Sequence, residues 1–282
     1  MKFSVLLLCG ALFATTALSA GGPASLEQQL LEAVNQARWD NGQLAPLKGN
    51  AALDTASENH SQAMAQRNFF GHCDLDTGTD HGDRATAAGY PWSSVAENIA
   101  AGQDTIADLM SDWLASPGHR NNILSTSYRE VGTGYFFQAG DLGNVRFDPD
   151  TDCVQEQIVG PFGGYWTQVF GRTSTGYPVV IDREAASTPD RNVDLYLYGN
   201  GWATQMRIRN ENGSFTAWQA FSSNVAWPLS NGGGTKTVFV EIRNGAGTVR
   251  FANDSIELAG GAPIFSDGFE SGNTSVWTTS FP

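Results

Sequence analysis

The sequence predicts two folded parts, an α+β domain followed by a small β-sandwich. Apolar residues recur at helical spacing through much of residues 25–172, whereas strict alternation and glycine-rich turns dominate residues 191–260. The length of 282 residues fits two domains. Apolar residues make up 41% and charged residues 16% of the chain, a composition typical of globular proteins that bury a core.

Four helices and two strands are predicted in the first part. Ser25 and Asn50 precede helical repeats and are suitable N-caps for the first two helices. A short third helix is expected over Asp83–Ala88, and a fourth begins at Asp104. The β-branched and aromatic runs Val131–Phe137 and Tyr165–Phe170 are typical of strands. Helices that precede strands in this way predict an α+β sandwich.

The second part has the pattern of an all-β domain. Four alternating segments are separated by Asn-Gly and poly-glycine turns, which favours a β-sandwich over residues 191–260. Residues 173–190, rich in small residues, Thr and Pro, are expected to form a linker or edge segment. Three tryptophans of this part are expected in its core, with stacking on sugars as the alternative if they are exposed: Trp202, Trp218 and Trp227. The predicted strands are Val193–Tyr198, Thr204–Arg209, Thr235–Arg243 and Arg250–Leu258.

The N-terminus and the net charge indicate where the protein acts. Lys2, an apolar run over residues 3–18 and small residues 19–22 predict a signal peptide over residues 1–20. No later stretch is apolar enough to span a bilayer, so we expect a secreted, periplasmic or cell-surface protein. The formal net charge of −13, from 29 acidic and 16 basic residues, argues against nucleic acid as a partner.

Removing the predicted signal peptide leaves two cysteines, Cys73 and Cys153. An even number of cysteines in an oxidising compartment favours a disulfide between them. Such a bridge would close a loop of about 80 residues and contribute roughly 4 kcal/mol in the chain-entropy model. The alternative is a pair of buried free thiols.

Four ordered motifs resemble one known family. They are HSQAMAQRNFFGH (60–72), AENIA (96–100), WLASPGHRNNIL (113–124) and YWTQVFG (165–171). In this order, as a helix, a turn, a His-containing segment and a strand, they resemble the CAP superfamily, the SCP/TAPS-type domain of cysteine-rich secretory, antigen 5 and pathogenesis-related proteins. The likeness is closest to the bacterial secreted branch and covers about residues 26–172.

The resemblance implies an α-β-α sandwich with an open cavity formed by two histidines and two acidic residues. His72 and His119 match the histidines, and Glu97 matches the first acid. The position of the second acid, three residues after Trp113, is occupied by Ser116. A mechanism that needs two carboxylates in the cavity is therefore in doubt.

Three functions remain open for this cavity. Two neutral imidazoles, His72 and His119, can hold Zn²⁺ or another divalent ion weakly, and Glu97 can orient one ring. The favoured hypothesis is non-enzymatic binding of such an ion, a small molecule, a lipid or an envelope component. A metal-assisted hydrolase or peptidase with Glu97 and His119 as catalytic candidates is the first alternative. A structural interaction protein with a vestigial cavity is the second.

The remaining features are given structural roles. His60 lies on the apolar stripe of its helix and is expected in the core, and His81 is expected in a solvated loop. The acidic runs beginning at Asp74 and Asp148 lack EF-hand spacing and are expected to be solvated loops rather than calcium sites. Residues 191–260 resemble the immunoglobulin-like modules of bacterial secreted proteins. Residues 261–282 resemble a short tail found on some of those proteins.

Overall fold

The computed structural model describes residues 24–149 and 152–260. The predicted signal peptide, Asp150 and the tail over residues 261–282 lie outside the described residues. Within that part of the chain, no helix has both the length and the apolar composition needed to cross a membrane. Its helices are α1 (Leu26–Asp40), α2 (Ala51–Gln66), α3 (His81–Ala87), α4 (Ile106–Ala115) and α5 (Pro117–Leu124).

The strands follow the predicted division of the chain. Those of the first part are β1 (Lys48–Gly49), β2 (Phe69–Phe70), β3 (Trp92–Ala101), β4 (Glu130–Phe137), β5 (Val145–Phe147), β6 (Gln157–Val159) and β7 (Gly164–Thr173). Those of the second part are β8 (Val179–Ile181), β9 (Ser187–Thr188), β10 (Asn192–Leu197), β11 (Gln205–Asn210), β12 (Gln219–Ala220), β13 (Asn224–Pro228), β14 (Gly234–Arg243) and β15 (Val249–Leu258).

Side-chain caps set where the helices begin. The Ser25 hydroxyl accepts the Gln28 N–H at 3.2 Å, and the Asn50 side chain caps α2, as predicted. The other two predicted starts are each two residues off. Asp80 caps α3, which therefore begins at His81, and Thr105 caps α4, which begins at Ile106.

The first part is an α-β-α sandwich, as expected. Its central sheet has the strand order β1-β4-β7-β3, with β7 antiparallel to both neighbours. Alternate residues of β7 point to opposite faces. Trp166 and Phe170 pack against α1, α4 and α5, whereas Tyr165 and Val169 pack with α2, α3 and the segments beside them. Because both faces are covered, the first eight residues of β7 are buried without interruption.

Helix α2 lies directly on the backbone of β4 because two glycines lack side chains there. A Cβ atom at Gly132 would lie 2.0 Å from the backbone carbon of Leu53, and one at Gly134 would lie 2.3 Å from the backbone nitrogen of Glu58. This close approach holds the helix that carries His60 against the sheet that carries the candidate site.

The second part is a β-rich module with two main sheets. Their strand orders are β13-β10-β8 and β12-β11-β14-β15-β9. Apolar residues of both sheets form one core, in which Leu195, Ile208 and Val240 are buried. Residues 173–190, for which a linker or edge segment is expected, contribute the edge strands β8 and β9. Strand β8 joins the module because its three residues, Val179–Ile181, are apolar and fully covered.

A buried ion cluster joins the two parts. Lys48 Nζ lies 2.9 Å from Glu184 and 2.6 Å from Asp254, which come from the turn after β8 and from β15. Glu184 also accepts the Gly49 N–H at 3.1 Å. Arg129 adds a second contact, since its guanidinium lies 4.6 Å from the ring centre of Tyr177. The module is therefore fixed to the first part by polar contacts.

The predicted disulfide is present. Cys73 and Cys153 are bonded, with their Cα atoms 5.3 Å apart. The acidic loops beside them are solvated as expected at Asp76, Asp80, Asp152 and Glu156, which are exposed, but not at the first acid of each run. Asp74 is buried and pairs with Arg67 at 2.5 Å, and Asp148 is buried and accepts the Cys153 N–H at 3.1 Å.

Because α2 lies so close to β4, a single methyl group added between them is predicted to destabilise the protein strongly. We expect Gly134→Ala to lower the free energy of unfolding by about 3 kcal/mol, because the new Cβ must displace helix backbone. Gly118→Ala is the control, since a Cβ at that helical position meets no atom within 4 Å. Urea titration monitored by circular dichroism measures both, and equal stability of the two variants would contradict the packing argument.

Candidate functional site

The candidate site is built around Glu97 in the central sheet. The motif that contains Glu97 is the strand β3 rather than the expected turn, and Glu97 pairs with Val169 of β7. Strand β3 is drawn into the sheet because Ile99 and Ala100 supply apolar side chains to both of its faces. The Glu97 side chain consequently lies inside the domain and is 1% exposed.

Two partners bind the two oxygens of this carboxylate. His72 Nδ1 lies 2.9 Å from Glu97 Oε1, and Arg84 Nη2 donates to Glu97 Oε2 at 2.7 Å. Arg84 also donates to the His72 carbonyl at 2.9 Å. The three side chains come from the loop after β2, from α3 and from β3. One carboxylate therefore connects three segments.

Electrostatics keeps Glu97 ionised. Burial alone would raise the pKa of Glu97, but three interactions lower it well below its usual range: the charge of His60, which is present only below about pH 4, the charge of Arg84, and the hydrogen bond from His72. The Arg84 guanidinium lies against the carboxylate, with Nη2 at 2.7 Å from Oε2. Because Glu97 is then an acceptor only, the proton of the His72–Glu97 hydrogen bond lies on His72 Nδ1.

His60 stands behind this group as a neutral core residue, as predicted. Its ring is fully buried, and Nε2 lies 3.0 Å from the Gly71 carbonyl and 3.9 Å from Glu97. Burial lowers the pKa of His60 to about 4. At pH 7 the ring is therefore uncharged and helps to hold the loop that carries His72.

The cavity beside these residues has a volume of about 330 Å³. His72 lines this cavity, and its Nδ1 is engaged by Glu97. The other ring nitrogen, Nε2, has no hydrogen-bond partner among residues 24–149 and 152–260. The lining residues are His72, Cys73, Asp80, His81, Ala96, Glu97 and Asn122.

His119 and Ser116 lie on the corner between α4 and α5. Asn98 donates to the His119 carbonyl at 3.3 Å, and the His119 ring lies 6.3 Å from that of Trp113. Burial, and then the nearby charge of His72, lower the pKa of His119. Neither Ser116 nor His119 is among the residues that line the cavity. Of the predicted site residues, the structure thus brings His72 and Glu97 into contact.

Several residues of the site were not predicted. Arg84 was missed, although a capping box between Asp80 and Asp83 would have placed it in the first turn of a helix. His81 is the first residue of that helix and lines the cavity, so it is not the solvated loop residue expected from the sequence.

Helix α5 contacts the strand that carries Glu97 through Asn122 and not through its neighbours Asn121 and Arg120. Asn122 donates to Asn98 Oδ1 at 2.9 Å and to the Glu97 carbonyl at 3.2 Å, whereas Asn121 is exposed. Arg120 points away and donates to Asn41. One turn of α5 presents these positions in different directions, which spacing alone does not resolve.

The part of the chain that the structure describes shows no preformed metal centre with three or more ligands. Among the described residues, no group of three or more His, Cys, Asp or Glu side chains is placed to hold a metal ion. His72 has one ring nitrogen engaged by Glu97, and both carboxylate oxygens of Glu97 have partners. The two predicted ligands, the imidazoles of His72 and His119, are therefore not part of a larger group of this kind among the described residues.

Comparison with known proteins identifies the first part. The model of the CAP family, described as the cysteine-rich secretory protein family, matches residues 31–147. The uncharacterized protein YkwD of Bacillus subtilis is 30% identical over 133 residues, 47% of this chain and 51% of its own. The membrane protein YlbC of the same species is 30% identical over 108 residues, 38% of this chain and 31% of its own.

This chain therefore spans about half the length of YkwD and a third of YlbC. Among solved structures, an extracellular SCP-domain protein from Bacillus anthracis is 24% identical, with a TM-score of 0.41 over 54% of this chain and 45% of its own.

Removal of Arg84 should destabilise the protein in a pH-dependent way. We expect Arg84→Met to lower the free energy of unfolding by about 3 kcal/mol at pH 7, because a buried carboxylate loses its cation. The pKa of Glu97 rises in the variant, so protonation relieves part of this cost, and the difference from the unmodified protein shrinks as the pH falls below 4.5. Urea titrations at pH 7 and pH 3.5 measure both values.

Arg67→Met is the matched control. Arg67 also pairs with a buried carboxylate, that of Asp74, but its own side chain is 43% exposed. We expect Arg67→Met to lower the free energy of unfolding by less than about 1 kcal/mol, because an ion pair with this exposure contributes little to stability. Equal losses in the two variants, or a loss at Arg84 that does not depend on pH, would contradict the role assigned to Arg84.

Proposed function

Because residues 31–147 form a bacterial-type CAP domain, we propose that this chain is a secreted CAP protein whose cavity binds a small polar molecule without covalent chemistry. The observation that carries the proposal is that His72 lines the cavity while its Nδ1 is held by Glu97, from which we infer that Nε2 is available to a ligand. Secretion is supported by the predicted signal peptide and by the Cys73–Cys153 disulfide.

The arrangement favours binding because the recognising atom is oriented in advance. Glu97 cannot rotate without breaking its contact with Arg84, so the His72 ring keeps its direction when a ligand enters. A neutral imidazole of this tautomer accepts a hydrogen bond at Nε2 and prefers a ligand with a hydroxyl, amide or ammonium donor. A volume of about 330 Å³ is at the lower end of small-molecule sites, which favours a small polar molecule over a membrane lipid.

The same contacts disfavour the hydrolase alternative. A general base must change its protonation state during turnover. The pKa of Glu97 is lowered far from neutrality by its cationic neighbours, and its oxygens are occupied. Ser116 is outside the cavity wall and therefore is not placed as a nucleophile against His72.

A weakly held divalent cation is the second candidate. It is supported by the electrostatic effect of His72, which after burial lowers the pKa of His119, so that the two side chains interact at a distance. Two imidazoles with water completing the coordination give an exchangeable site that suits Zn²⁺.

A fragment screen tests the main proposal. Compounds with a hydroxyl or amide donor and fewer than about 15 heavy atoms are added to the full chain, and binding is followed by the NMR signals of the His72 ring. We expect hits whose affinity falls about tenfold in Glu97→Gln, since the ring is no longer held by a charged acceptor. Asp182→Asn is the control, because Asp182 lines a separate surface cavity. Hits insensitive to Glu97→Gln would place binding elsewhere.

Zinc calorimetry tests the second candidate. We expect binding in the micromolar range or weaker, lost in both His72→Ala and His119→Ala, because neither imidazole alone holds the ion. The second variant is decisive, since His119 lies outside the cavity wall. Tight binding that survives His119→Ala would overturn the two-histidine placement.

A further inference from the structure

The outer face of the larger sheet in the β-module carries a cluster of arginines and aromatic rings. In β11 and β14, Arg207 pairs with Glu241 and Arg209 pairs with Phe239. Their sequence neighbours Met206, Ile208, Val240 and Ile242 are buried in the module core, so the paired residues point outward. Strand β15 adds Phe251 opposite Glu241.

The arginines of this face stack on the rings. The guanidinium carbon of Arg209 lies 3.9 Å from the ring centre of Phe239 and 5.1 Å from that of Phe215. Trp218 lies between two arginines, at 4.7 Å from Arg207 and 4.2 Å from Arg243. Trp218 is thus on the outer face, whereas Trp202 and Trp227 pack against the core as predicted.

Only one of the three arginines is neutralised. Arg207 pairs with Glu241 at 2.6 Å. Arg243 donates only its Nε, to Gln205, and Arg209 has neither a hydrogen bond nor an ion pair among residues 24–149 and 152–260. Stacking holds the planar groups flat and leaves their N–H edges available for an acceptor.

The charge is concentrated at one end of the face. The other acids on this side, Glu211 and Glu257, lie beyond Arg209, where they accept hydrogen bonds from the backbone of Thr237 and from the hydroxyl of Thr235. The end with three arginines therefore has a local excess of positive charge in a chain whose net charge is −13. Phe251, 74% exposed, adds an apolar ring to this end.

We propose that this surface, the arginine–aromatic face, binds an acidic polysaccharide. A guanidinium can donate two parallel N–H···O hydrogen bonds to one carboxylate. Arg209 and Arg243 provide two such groups along one sheet. Sugar rings present apolar C–H faces that pack on exposed aromatic rings, here Phe251. The face is formed by Arg207, Arg209, Arg243, Trp218, Phe239 and Phe251.

The same features favour a sugar polymer over other polyanions. Binding to nucleic acid or to an anionic membrane requires many free cations, whereas this face has two arginines without an acidic partner among the described residues. A carboxylated polysaccharide combines spaced negative charges with apolar sugar faces, which matches alternating guanidinium and ring groups. The proposal concerns the β-module and does not depend on the cavity.

Polygalacturonate is the probe. The full chain is titrated with polygalacturonate fragments at low ionic strength, with dextran as the neutral polymer. We expect binding to polygalacturonate, weakening with added salt, and none to dextran. Arg209→Gln should reduce the affinity about tenfold, because a charge-assisted contact is lost. Phe251→Ser should also weaken binding, and we expect it to leave the stability of the fold unchanged, since the ring is largely exposed.

Arg120→Gln and Leu142→Ser are the matched controls, since they remove an exposed cation and an exposed apolar side chain from the first part of the chain. We expect unchanged affinity in both. Absence of polygalacturonate binding, or equal loss in variants and controls, would overturn the proposal. The proposal would also be overturned if the chain bound duplex DNA or phosphatidylglycerol vesicles more tightly than polygalacturonate and if Arg209→Gln weakened that binding. This outcome would favour a phosphate-bearing partner.

Discussion

The need to compensate one buried carboxylate organises the first half of this molecule. Glu97 lies on a strand covered by helices, where water cannot solvate its charge. The compensation comes from separate segments, a guanidinium on α3 and an imidazole on the loop after β2. These segments form the cavity wall, so the position of the wall follows from the contacts that the charge requires. The residues that stabilise Glu97 are therefore also residues of the cavity that is proposed to bind a ligand.

At the junction between the two parts, a buried charge is again compensated by groups from separate segments, but here the buried charge is positive. Lys48 is the buried cation, and Glu184 and Asp254 come from the β-module to meet it. The turn that delivers Glu184 has three consecutive residues, Asp182 to Glu184, with φ of 41°, 58° and 66°. Such left-handed conformations cost of order 1 kcal/mol or more each for residues other than glycine. The ion cluster is the contact that offsets this cost.

Local sequence patterns predicted the features that local chemistry controls. Ser25 and Asn50 identified helix starts because a cap and its N–H groups are close in sequence. Alternation identified β10, β11, β14 and β15 for the same reason. Motif likeness brought His72 and Glu97 to one site, which no spacing rule could have done.

Features that depend on tertiary contacts escaped prediction. Nothing in the sequence near Arg84 indicates that its partner is Glu97, thirteen residues later on another element. Asn122 and Asn121 differ only in the direction in which α5 presents them. Trp218 has the same local surroundings as a core tryptophan, and only the register of β11 with β14 shows that it meets arginines.

The disulfide has a consequence for when the cavity is formed. Cys73 is part of the cavity wall, and its partner Cys153 belongs to a loop that follows in the chain by 80 residues. The rim is therefore closed by a covalent bond that exists only after two thiols have been oxidised. For this protein, maturation of the site is coupled to the redox state of the compartment in which the chain folds. A chain retained among reducing agents would keep every side chain of the site and lack its finished rim.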